Sequence, residues 1–171
     1  MFGDGLFNEC LKLVKEWKPK QKYILEDDYK RDLREFLFTS LNKEDMFGQK
    51  RNINVIEESG RSLCDIAVAK KVGIELKYGK DGKIRQGDID RLKGQVERHR
   101  LDYPEGIIVV LVGDADDYSE ANVRENLNRL YNLINNGYGN QFNLTLINKS
   151  HSKKESEKKS SSDSFDFGLK W

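Results

Sequence analysis

The chain has little of what would tie it to a membrane or to an oxidising compartment. Its 171 residues hold two cysteines, Cys10 and Cys64. They lie far apart and neither belongs to a pair with metal-ligand spacing, which excludes a disulfide framework and points to reduced thiols in a cytosolic protein. No stretch approaches the roughly 18 apolar residues of a membrane-spanning helix, and the first residues lack a basic region followed by an apolar one. Neither a membrane span nor a secretory leader is therefore expected, and the expected location is cytoplasmic. An excess of one charge is missing too: 30 basic side chains face 29 acidic ones, for a formal net charge of +1. Binding to a polyanion must then come from a local patch rather than from the global field.

Charge itself is abundant, at 35% of residues, and it is unevenly spread. Between residues 70 and 100, ten basic residues outnumber five acids. A solvated helix face accounts for such a surplus without a ligand. Phosphate contact is the sharper reading, with Lys80, Lys83 and Arg91 as candidate contacts.

The length fits one domain with a real core. Helical periodicity predicts a first helix over residues 6–17, stopped at Pro19. A second covers 27–41, with the stripe Tyr29, Leu33, Phe36, Leu37 and Leu41 and with Asp27 or Asp28 as cap. Three strands follow at 52–58, 63–69 and 72–78, separated by glycine-containing turns. A helix over 86–101, with Ile89, Leu92 and Val96 inward, ends before Pro104. The run 106–113 is almost purely apolar, as expected of a strand covered on both faces. A helix capped by Ser119 runs to about residue 134, and a strand at 142–147 completes a domain spanning 1–148. The class is α/β, a mixed sheet flanked by helices in the order ααβββαβαβ.

Residues 149–171 form a polar tail of low complexity that cannot offset the entropy of ordering. It ends in a segment holding Phe165, Phe167 and Trp171. That segment reads as a docking peptide for a protein partner or as a cover for an apolar patch of the domain.

Chemistry concentrates on the second and third strands. Alternation sends Glu75 and Lys77 to one face while Ile74 and Leu76 point to the other. Asp65 precedes the apolar Ile66-Ala67-Val68 and joins them if the strands pair in register; a slip of one residue would turn it away. Two carboxylates and an ammonium on buried strands are costly without a ligand, and a hard metal ion near a phosphate is the ligand that suits them. Cys64, with no second Cys or His near it in sequence, reads as a small buried residue rather than a soft-metal ligand.

Asp65 followed ten residues later by Glu75-Leu76-Lys77 resembles the motif of the PD-(D/E)XK nuclease superfamily, with Cys64 where many members carry proline. The predicted order helix, three strands, helix, strand is similar to the core of its restriction-endonuclease-like fold. The resemblance implies Mg2+, or Mn2+, bound by Asp65, Glu75 and the Leu76 carbonyl, with Lys77 orienting the attacking water or stabilising the charge that grows on phosphorus. A further acid is expected on the helix before the strands. Glu26 is the first choice, ahead of Asp32, Glu57 and Glu58, while Glu35 falls opposite the stripe. RecB-like members carry glutamine and, four residues on, tyrosine. Here Gln95 and His99 hold those places, on the flank of a helix where they could contact substrate or simply meet solvent. The implied activity is hydrolysis of phosphodiesters in nucleic acid, DNA first, by an endo- or exonuclease, junction resolvase or restriction-type enzyme. A two-strand cut would then need a homodimer. A non-catalytic nucleic-acid-binding module, and an accessory protein acting through its tail, are the alternatives.

Overall fold

A computed structural model of the chain describes residues 5–44, 48–57, 64–136 and 142–151. Among them the elements are α1 (Leu6–Glu16), α2 (Glu26–Leu41), β1 (Val55–Glu57), β2 (Ile66–Val68), β3 (Val72–Gly79), α3 (Gln86–His99), β4 (Gly106–Gly113), α4 (Asp117–Asn135) and β5 (Leu144–Asn148). The strands form one mixed sheet in the order β1-β2-β3-β4-β5. The first two pairings are antiparallel and the last two parallel. Parallel neighbours require a crossover, and α3 and α4 supply the two that are needed. No helix among the described residues is long and apolar enough to cross a membrane.

Strand alternation divides the core into two layers. Ile66, Val68, Ile74, Leu76, Ile108 and Val110 pack with Phe7 and Val14 of α1 and with Tyr29, Leu33 and Leu37 of α2. Ala67, Ile107, Val109 and Leu111 pack with Ile89, Leu92 and Val96 of α3 and with Val123 and Leu127 of α4. All eight residues of β4 are buried, which is why that run carries no polar residue. Glu75 and Lys77, odd-numbered on β3, therefore share the sheet face that α3 and α4 cover.

Four expectations are corrected in detail. β1 and β2 are three residues each, and positions 58 and 63, where the sequence predicted strand ends, lie outside the described residues. Helix α2 starts at Glu26, so Asp27 and Asp28 sit in its first turn, where they favour the helix dipole without capping it. Asp116, not Ser119, caps α4: its carboxylate accepts from the Ser119 amide at 2.7 Å, and an ionised acceptor outcompetes a hydroxyl. The Ser119 hydroxyl instead accepts from the Ile84 amide at 3.1 Å. Finally, residues 149–151 pack on the domain. Buried Ser150 donates to the Ala115 carbonyl at 3.0 Å, and His151 Nε2 lies 2.9 Å from the Tyr29 hydroxyl. The aromatic segment from Phe165 to Trp171 lies outside the described residues.

Candidate functional site

The site forms where β2 leaves β3. The two strands pair from Val68↔Val72 to Ile66↔Ile74, and the next step of that register sets Asp65 level with Glu75. Beyond it β3 continues alone on this edge. Its amides at Leu76 and Tyr78 point the same way, into the gap, and a buried amide needs an acceptor. Carboxylates supply both. Asp65 Oδ2 accepts from Leu76 N at 2.8 Å, and Glu26 Oε2, from the first residue of α2, accepts from Tyr78 N at 2.7 Å. A fork in the sheet thus draws acids from two separate elements onto alternate residues of a third.

Glu75 stands between them and is 1% exposed. One of its oxygens, Oε1, lies 3.7 Å from Lys77 Nζ, while Oε2 is buried with no hydrogen-bond partner among the described residues. Burial, reinforced by the Asp65 charge and only partly relieved by Lys77, pushes the Glu75 carboxyl up to about 8. Burial also raises Glu26, against the pull of Lys77 and of its hydrogen bond from Tyr78. Three carboxylates around one shielded ammonium make a pocket that is short of positive charge. Asp65 and Glu75 could hold a divalent cation with a preference for oxygen ligands, whereas Glu26 does not converge with both of them to within 4.8 Å. The orphaned Glu75 oxygen is the sharpest sign that the site is incomplete without a ligand.

A residue the sequence reading missed is Lys30, one helical turn after Glu26 on α2. Its ammonium is mostly buried and bonds Asp27 at 2.8 Å. Burial works against its charge, but the hydrogen bond it donates to Asp27 and the field of Asp65 hold it above the usual lysine range. The spacing of four from Glu26 was the available signal.

The other acids considered for the site fall elsewhere. Asp32 is buried, but it accepts from Lys20 N at 2.8 Å and from the Tyr23 hydroxyl at 3.2 Å, so it holds the segment before α2. Glu35 is on the surface, paired with Lys20 at 2.9 Å. Glu57 is exposed, and Glu58 lies outside the described residues.

The expected substrate contacts divide. Lys80 and Lys83 are exposed and face each other across a turn that Asp81 and Gly82 close with positive φ. Arg91 is exposed on α3 beside Asp88. Gln95 is half-buried, with Oε1 shielded and lacking a hydrogen-bond partner among the described residues. His99 is a correction: it is 1% exposed and turned away from solvent. It follows Leu92 by seven and Val96 by three, so it belongs to the inward stripe of α3 rather than to its flank.

His99 Nδ1 lies 3.4 Å from the Sγ of Cys64, itself fully buried. The histidine absent near Cys64 in sequence is thus supplied by the fold. Cys64, His99 and Glu75 offer three ligand atoms within 4.8 Å of one another, a group that could hold a metal ion. Comparison of the chain with protein-family models, with curated proteins and with solved structures gave no match.

Proposed function

We propose that the chain is a metal-dependent nuclease that hydrolyses phosphodiesters, with DNA as its substrate. The observation that carries this reading is the meeting of Glu26, Asp65, Glu75 and Lys77 at the fork between β2 and β3. The pattern and the five-stranded mixed sheet around it are similar to the restriction-endonuclease-like core of the PD-(D/E)XK superfamily.

Asp65, Glu75 and the Leu76 carbonyl would hold Mg2+ or Mn2+, which supplies an activated water and screens the charge of the phosphate. The protein's own share is positioning and charge. The Leu76 amide fixes Asp65, and the Tyr78 amide fixes Glu26, so neither acid has to be ordered when substrate arrives. Lys77, mostly buried and 3.7 Å from Glu75, keeps an ammonium where negative charge grows on the phosphoryl oxygens. Lys80, Lys83 and Arg91 are exposed and would meet the backbone of a longer substrate, and half-buried Gln95 is the remaining candidate contact on α3.

The test is cleavage of labelled linear duplex, single-stranded and four-way-junction DNA in Mg2+, Mn2+ or EDTA, comparing the chain with Glu75→Ala and Lys77→Ala. Metal-dependent cutting that falls by about a hundredfold or more in each variant supports the reading. Inert proteins that all bind DNA equally would replace it with a non-catalytic binding module.

A further inference from the structure

We infer that Cys64, His99 and Glu75 form a second metal site, one for zinc or a similarly thiophilic ion, that shares Glu75 with the proposed hydrolytic site. The three residues come from the residue before β2, the end of α3 and the middle of β3. Their ligand atoms lie within 4.8 Å of one another, and all three side chains are almost fully buried. The Cys64 Sγ to His99 Nδ1 distance is 3.4 Å, close to the separation of about 3.5 Å between a sulfur and a nitrogen bound to one tetrahedral zinc. Glu75 Oε2 is buried with no hydrogen-bond partner among the described residues, and the residue is 1% exposed.

The chemistry of the donors selects the ion. Mg2+ takes oxygen ligands and has no use for a thiolate, whereas thiolate and imidazole together suit zinc. On binding, the Cys64 thiol releases its proton, so thiolate and carboxylate cancel the ion's two positive charges and the buried group is electroneutral. The described residues supply three ligands, and a tetrahedral ion takes a fourth donor beside them. Because the site is closed, the ion enters during folding or through local opening.

Sharing Glu75 has a consequence that rests on the nuclease reading. A carboxylate engaged by zinc on the Cys64 side is withdrawn from the hard cation on the Asp65 side. Zinc occupancy would then silence hydrolysis, and removing the thiol would relieve the inhibition without touching Glu26, Asp65 or Lys77.

The experiment is metal analysis of the full chain produced in zinc- or cobalt-supplemented medium. Wild type and Cys10→Ser are expected to retain one ion per chain, and the cobalt form to show a thiolate-to-cobalt absorption band in the near ultraviolet. Cys64→Ser and His99→Gln should lose both, while Asp65→Asn, outside the triad, keeps them. Circular dichroism of each variant separates loss of the site from loss of fold. A wild type without ion or band, or a folded Cys64→Ser protein that retains as much metal as wild type, overturns the inference. Cleavage in Mg2+ is then compared with and without one equivalent of zinc. Inhibition of wild type but not of Cys64→Ser supports the shared carboxylate, and equal rates overturn the sharing. If the band is present and no protein cuts DNA under any condition, the nuclease reading falls and the zinc site stands.

Discussion

Replacing Glu75 by glutamine is expected to stabilise the metal-free protein in alkaline solution. The unfolded chain releases the Glu75 proton near 4.5, whereas burial and Asp65 keep it bound in the folded state to about 8. Across that window the unfolded state binds fewer protons than the native one, so stability falls as pH rises. The interval corresponds to about 5 kcal/mol at about 1.36 kcal/mol per pH unit. Glutamine keeps the shape and removes the charge, but it leaves Lys77 without its partner at 3.7 Å, which reduces the gain. A net stabilisation of about 2–4 kcal/mol at pH 8.5 follows, equivalent to a rise in Tm of roughly 5–15 °C for a domain of this size. At pH 4 the native carboxyl is already neutral, and the two proteins should agree to within about 0.5 kcal/mol. Thermal unfolding in EDTA between pH 4 and 9 reads both the offset and its slope. A Glu75→Gln protein no more stable than wild type at pH 8.5, or an offset independent of pH, refutes the reasoning.

Three further outcomes follow from the packing around the site. Asp65→Ala should cost about 1–3 kcal/mol in urea unfolding because it strands the Leu76 amide, whereas Asp65→Asn keeps an acceptor and should cost less than half as much. Equal losses in the two would show that the hydrogen bond is not what anchors Asp65. Gly73→Ala puts a Cβ 2.6 Å from Cys64 Sγ and 2.8 Å from the Tyr103 ring, so it should destabilise by about 1–3 kcal/mol; a neutral result would mean that the strand edge gives way freely. Asp116→Ala removes the cap of α4 and should lower stability by about 1 kcal/mol, whereas Asp117→Ala, one residue on, should cost little by the same unfolding measurement.

Much of the architecture is legible because local signals are strong. The unbroken run from Gly106 to Gly113 can only be a strand with both faces covered, and the Tyr29–Leu33–Leu37 stripe can only be one buried helix face. Glu26 could be set beside β3 from sequence because it lies three residues before Tyr29, on the side of that stripe. What stayed illegible depends on partners distant in sequence. Periodicity does not reveal that β2 begins only at Ile66, because side chains, Asp65 and Glu26, rather than strand backbone take the next amides of β3. Nor does it reveal the Cys64–His99 contact, which joins residues 35 positions apart. His99 was misread for a related reason. The resemblance to RecB-like nucleases, which carry tyrosine there, sets it toward substrate, while its spacing from Val96 assigns it to the core.

The carboxylates at the fork answer to two masters. Asp65 and Glu26 close the hydrogen-bonding edge of β3, so selection for a folded chain alone would conserve them. Glu75 also takes a hydrogen bond from the backbone at Asp65, yet its burial beside the Asp65 charge still burdens the metal-free fold. In a chain that held no ligand at the fork, Glu75 would drift first while Asp65 and Glu26 persisted. The fold alone accounts for Asp65 and Glu26, and Glu75 is the acid of the group that it carries at a cost.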